Sequence, residues 1–302
     1  MLERITWLQE DFTTLKEARK DGRGKSLPVE IVKFAVLIIL TSFILKDILN
    51  EGLILLLNPA TEIGINLITL YSLAVIILII VAFVLFAEKR SLRSMGFSKD
   101  RAFSSYIKGL ICGFVMFGAV VLIGYLTGQY EFSGLGSASV YLLIAFFIGF
   151  IIQAMHEEIL LRGWMFVSIS RKNNMYAAMF LSSIVFVLGH LRNSGIDALS
   201  LINIFLVGIV FCVMFLRYDN IWFCSAAHTM WNFTESCIFG FAVSGESDLP
   251  MIFSFTQKNI SILGGGSFGP ESSLITSSVL LIALIFFCFL SQHQEIPKMI
   301  CI

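Results

Sequence analysis

The chain has 302 residues, 57% of them hydrophobic and 14% charged, with a mean hydropathy of +0.87. A water-soluble domain carries about 25% charged residues, so the composition excludes a soluble globular protein and places the chain in a membrane. Its 21 basic and 21 acidic side chains cancel, which leaves no global attraction for nucleic acid.

Residues 1–28 are polar and charged, with a basic cluster and the apolar pair Phe12 and Leu15. No short apolar core followed by small residues is present, so no cleavable signal is expected. The segment reads as a cytoplasmic basic tail that sets topology, with a short surface helix. Eight apolar runs follow, at roughly 29–50, 66–87, 106–127, 138–161, 175–191, 197–216, 221–242 and 274–291. Each approaches the ~20 residues that a membrane-spanning helix needs. The predicted fold is therefore all-α, a polytopic membrane helix bundle of about eight transmembrane helices. Its expected organisation is N-terminal helices over 29–137, a core over 138–242, an external loop over 243–273, and a last helix with tail over 274–302. In the third run Gly109 and Gly113 stand four apart, a spacing that suits close helix packing. The loop sequence GGGSFGPE, residues 264–271, has no strand signal leading into it, so it reads as a flexible external turn rather than a phosphate cradle.

Orientation follows from the basic residues. Arg4, Lys16, Arg19, Lys20, Arg23 and Lys25 precede the first run, and Lys89, Arg90, Arg93, Lys99 and Arg101 follow the second. Arg171 and Lys172 follow the fourth, Arg217 the sixth and Lys298 the eighth, whereas the opposite loops hold Lys46, Arg192 and Lys258. Both termini are thus expected in the cytoplasm. The six cysteines are scattered without a C-x-x-C pair, which suggests neither a disulfide framework nor a thiolate zinc site. Cys301 stands too close to the end for a prenylation box.

Inside the fourth run stands MHEEILLRGW, residues 155–164. Each charge near a helix centre costs about 2.5–3.5 kcal/mol on insertion scales, so this cluster requires protein partners or water. Glu158 and Arg162, four apart, share a helix face and can pair. Glu157 points about 140° away from Arg162 and is left unpaired. The fifth run ends in FVLGH, with Phe186 and His190 on one face; the seventh contains HTMWN, with His228 and Asn232 on one face and Glu235 on the same stripe. A free carboxylate, two histidines and an asparagine on three neighbouring spans supply a base, proton carriers and hydrogen-bond donors. Those parts suit attack of water on a carbonyl. His156 could act behind Glu157, and His293 lies in the tail.

Glu157-Glu158-x-x-x-Arg162, then Phe186-x-x-x-His190, then His228-x-x-x-Asn232 resembles, in order and spacing, the three motifs of the CPBP (Abi) intramembrane proteases. That family includes the type II CAAX prenyl endopeptidases and bacteriocin-processing enzymes. The resemblance covers roughly 138–242. It implies hydrolysis of a peptide bond within the membrane, with Glu157 as base, His190 as its partner, His228 and Asn232 as the oxyanion site, and Glu158, Arg162 and Phe186 in support. Burial should raise the Glu157 pKa and strengthen it as a base, in a cavity expected to open to the cytoplasm. No cofactor is favoured. Zinc is the alternative, with Glu157, His190 and His228 as its three ligands. The expected partners are membrane lipid and a peptide or protein substrate, with no nucleic acid; no oligomeric state follows from the sequence. The expected location is a bacterial cell membrane. A transporter or a non-catalytic scaffold would also bury ionisable residues, but no inverted repeat supports a transporter.

Overall fold

The computed structural model describes residues 12–20, 24–136, 138–243 and 249–290. In chain order the helical rods are α1 (Thr13–Arg19), α2 (Leu27–Leu57), α3 (Glu62–Ala87), α4 (Ala102–Leu126), α5 (Val140–Ser170), α6 (Met175–His190), α7 (Ala198–Tyr218), α8 (221–238) and α9 (Leu274–Leu290). Each of the eight apolar runs falls on one rod from α2 to α9. Five of these rods (α2, α3, α4, α5 and α7) are long and apolar enough to cross a membrane, while α6 and α9 are shorter apolar helices. Their outer faces remain apolar: Leu55, Phe86, Leu126 and Ile282 are all exposed, as lipid contact requires.

Local chemistry sets the rod ends. Pro28 lies in the first turn of α2, and Asn58 ends that rod in the left-handed region at φ 44°. Asn174 caps α6 through the Tyr176 and Ala177 amides, and Asn220 caps α8 through the Trp222 and Phe223 amides. Asp197 and Ser200 form a reciprocal capping box at the start of α7.

The bundle has two dissimilar ends. At one, α1 lies across the loops that join α3 to α4, α5 to α6 and α7 to α8. Thr13 and Thr14 donate backbone N–H groups to Asp219 at 2.7 and 3.0 Å, and Arg19 donates to the Ser170 carbonyl at 3.2 Å. Leu15 and Ala18 are buried there, so this helix is docked rather than a loose tail. Arg4, Arg23, His293, Lys298 and Cys301 lie outside the described residues. At the other end β1 (Tyr130–Leu135) and β2 (Phe253–Gln257) pair antiparallel. Residues 258–273 fold under this hairpin. Tyr130 donates its hydroxyl to the Gly264 carbonyl at 2.9 Å, Gly266 N–H donates to Ser272 Oγ at 2.6 Å, and Phe268 is buried. The expected flexible turn is therefore an ordered, partly buried wall. Its glycines serve close approach: Gly269 has φ 95°, and a β-carbon there would stand 2.6 Å from the Ala242 carbonyl oxygen.

Gly109 and Gly113 let α4 lie against α8, because β-carbons at these positions would collide with the Phe223 and Ala227 carbonyls. This contact fixes α8, which carries His228 and Asn232.

Candidate active site

The two glutamates of α5 face different surroundings. The Glu158 side chain is fully buried. Arg162 Nη1 donates to its Oε1 at 2.9 Å, and Arg162 Nη2 donates to the Gly208 carbonyl of α7 at 3.0 Å. The guanidinium also lies over the Phe186 and Phe211 rings, 5.1 and 5.5 Å from their centroids. The pairing read from the spacing is thus formed, and its arginine ties α5 to α7.

Immediately after Glu158 the rod widens into a π-helical stretch, Ile159–Phe166, that contains Arg162. Such stretches expose backbone carbonyls and recur at functional sites. Arg90, which the sequence offered only as a topology marker, is buried against this stretch. It donates to the Gly163 carbonyl at 3.2 Å and to Ser168 Oγ at 2.7 Å. Beside it, burial works to raise the Glu88 carboxyl pKa, but the charges of Lys33 and Arg90 outweigh burial and hold it below its ordinary value.

Glu157 is 19% exposed in its side chain and is not as isolated as the helical spacing predicts. Its Oε2 stands 3.7 Å from His228 Nε2, and Gln153 Nε2 reaches its Oε1 at 3.5 Å. His228 stands between the two glutamates, because its Nδ1 lies 3.0 Å from Glu158 Oε1. The ring stacks on Phe211 at 4.9 Å. Glu158 therefore has two partners, Arg162 and His228. It neutralises the first and orients the second, as a carboxylate does in other histidine dyads. On α6, His190 Nδ1 lies 2.7 Å from the Phe186 carbonyl oxygen. The carbonyl can only accept, so Nδ1 carries the proton and Nε2 keeps a lone pair.

One cavity collects these groups. Glu157, Phe186, His190, His228 and Asn232 line it together with Gln153, Phe211 and Trp231. The space open to water centres is about 20 Å³, and roughly 10–15 Å³ suffices for one water molecule. Every residue expected at the catalytic centre reaches this cavity, from α5, α6 and α8.

Sequence reasoning missed Glu271, which reaches the same cavity from the loop before α9. Trp231 Nε1 donates to its Oε1 at 3.0 Å, and Asn203 Nδ2 donates to its backbone carbonyl at 2.7 Å. Glu271 sits in a polar loop with no periodicity to mark it, so no local signal distinguished it. Two other polar residues stand apart from the cavity. Glu235 is buried in the π turn of α8 with neither carboxylate oxygen hydrogen-bonded, and His156 is buried with neither ring nitrogen bonded.

For zinc the donor set is a poor fit. Among the described residues no three His, Cys, Asp or Glu side chains converge as a metal site would require.

The cavity has its rim at the hairpin end. His190 is the last residue of α6, and Glu271 precedes α9. Toward the basic end it is closed by the fully buried Glu158 and Arg162, with Phe186 and Phe211 above them. Termini in the cytoplasm and a cavity open to the cytoplasm, both expected from the sequence, are therefore incompatible in this fold.

A polytopic helical bundle with a water-sized, carboxylate- and histidine-lined cavity inside it defines an integral membrane protein with a buried polar site. Residues 137–234 match the family described as Type II CAAX prenyl endopeptidase Rce1-like. The matched segment takes in all seven motif residues from Glu157 to Asn232 and ends before Glu271, and it supports an intramembrane protease of the CAAX type. No curated protein and no solved structure gives a match.

Proposed function

We propose that this protein is an intramembrane endopeptidase that hydrolyses a peptide bond by carboxylate-activated water, without a metal. The observation that carries this reading is the convergence of Glu157, His190, His228 and Asn232 on one cavity with room for a water molecule. Glu157, the exposed member of the glutamate pair, takes a proton from that water as its oxygen attacks the scissile carbonyl carbon. The developing oxyanion is met by the Asn232 amide and by His228. Nε2 is the His228 ring atom that faces the cavity side, because Nδ1 is held by Glu158. The C–N bond then breaks, and the leaving amine takes up the proton relayed through His190 Nε2, the ring atom left free by the Phe186 carbonyl.

Comparative peptidomics tests the reading in cells that carry either the unaltered chain or Glu157→Gln. Peptides released only by the unaltered chain are expected. Identical peptide profiles, with both proteins equally abundant, would sink the protease assignment.

A further inference from the structure

The position of the cavity mouth and the distribution of charge together say from which side a substrate arrives. Exposed basic residues crowd the end covered by α1, among them Lys20, Lys25, Lys89, Arg93, Lys99 and Lys172. The hairpin end has Lys46, Arg192 and Lys258 among its described residues, against the acidic Asp47, Glu51, Glu62, Glu131, Asp197 and Glu271. Short loops rich in Lys and Arg stay in the cytoplasm. The partly exposed part of the cavity lining lies toward the other end. Its rim holds the partly exposed Gln153, His190 and Glu271, while residues 158–170, which run from Glu158 to the α1 face, are all buried.

We infer that the reaction chamber opens to the non-cytoplasmic side, and that the substrate is a membrane-associated peptide or protein segment presented at the outer leaflet. The substrate half of this inference rests on the protease function proposed above; the orientation half does not. A polypeptide entering past Glu271 and His190 meets Glu157 without crossing the closed half of the bundle. A chain end presented from the cytoplasm would have to pass α1 and the buried Glu158–Arg162 pair. The wall that carries Glu271 is held in place for such an entrance. Asn203 binds the Glu271 and Ser273 carbonyls at 2.7 and 2.9 Å, and Ser267 Oγ donates to the Gly195 carbonyl at 3.2 Å.

Single cysteines at Ser267, Glu271 and Lys172 test the orientation in intact cells with a membrane-impermeant maleimide. The unsubstituted chain, whose described cysteines are buried or half-buried, serves as the blank. Ser267→Cys and Glu271→Cys are expected to label before permeabilisation, and Lys172→Cys only after it. If Glu271→Cys fails to accumulate, the exposed Ser267 and Lys172 positions still decide the orientation. Labelling of Lys172→Cys in intact cells with protection of Ser267→Cys would overturn the inference. Labelling needs no turnover, so the same three substitutions in a Glu157→Gln chain should label alike. Failure of the protease reading would leave that pattern unchanged, whereas failure of the orientation would reverse it.

Discussion

Glu158→Gln preserves the size of a fully buried side chain and removes its charge, so it isolates what that charge does. Arg162 is itself fully buried, and its Nη1 loses its counter-ion while Nη2 keeps the Gly208 carbonyl. Removing one partner of a buried pair costs about 3–5 kcal/mol, a large part of a total stability of about 5–15 kcal/mol. At roughly 2–4 °C per kcal/mol, the melting temperature should fall by about 10 °C. Arg162→Leu should fall at least as far. It leaves Glu158 with His228 alone, takes a cation from the faces of Phe186 and Phe211, and removes the bond that ties α5 to the Gly208 carbonyl. The double variant Glu158→Gln/Arg162→Leu holds no lone charge, so it should be less destabilised than the sum of the singles by about 3 kcal/mol. It stays below the unaltered protein because the bond from Arg162 to the Gly208 carbonyl is lost, and hydrogen bonds to charged groups contribute about 1.5–3 kcal/mol. Glu157→Gln, partly exposed and outside the ion pair, should melt like the unaltered protein and release no peptide. The assay is thermal melting in detergent beside peptide release for all four variants. An unstable Glu157→Gln with a stable but inactive Glu158→Gln would show that the two glutamates have the opposite roles.

Further outcomes follow from other contacts. Peptide release should survive chelators and dialysis, with no stoichiometric zinc in the purified protein; loss on chelation restored by zinc alone would require a metal site that the donor geometry does not favour. Gly113→Val should destabilise the protein by at least about 1–3 kcal/mol, because the new side chain meets the Ala227 carbonyl where α4 crosses α8; an unchanged melting temperature would contradict that close approach. Glu88 has its folded pKa held below its ordinary value of 4.5, so its charge stabilises the fold above 4.5 and stops doing so as the pH falls through the lower folded value. The gap in melting temperature between the unaltered protein and Glu88→Gln should therefore be constant near neutrality and close only below 4.5.

Periodicity and spacing go a long way here because a membrane allows few alternatives. Each apolar run had to become a helix, since unpaired backbone groups are too costly in lipid. The side chains of Glu158 and Arg162 had to meet because they lie one turn apart. Partnerships across rods could not be read in this way. His228 bridging both glutamates depends on how α8 sits against α5, and that is fixed by α4 through Gly109 and Gly113. The π-helical stretch after Glu158 has no sequence rule to announce it. Arg90, its brace, looks like any loop arginine until the chain folds. Residues 258–273 look mobile because Gly and Ser dominate them, yet the cost of ordering them is offset by Phe268, Pro270 and Ser272, which are all buried.

The dual role of Glu158 explains why two adjacent carboxylates serve this site better than one. A lone glutamate beside His228 would have to orient the ring and activate water with the same oxygens, and a carboxylate held in an ion pair is a weaker base. Adjacent residues on a helix diverge by about 100°, so Glu158 turns inward to Arg162 and Nδ1 of His228, and Glu157 turns to the cavity and Nε2. The histidine is then held from both sides, by one carboxylate committed to Arg162 and one that faces the cavity. Arg162 makes this division possible, since it compensates the first charge far from water. Replacing Arg162 should consequently disturb catalysis even though its guanidinium is held by Glu158 and the Gly208 carbonyl, on the closed side of the cavity. In Arg162→Leu, Glu158 would compete with Glu157 for the proton on His228, and peptide release should fall further than the loss of folded protein accounts for. Activity normalised to folded protein separates the two effects. A normalised rate equal to that of the unaltered chain would mean that Arg162 acts on stability alone.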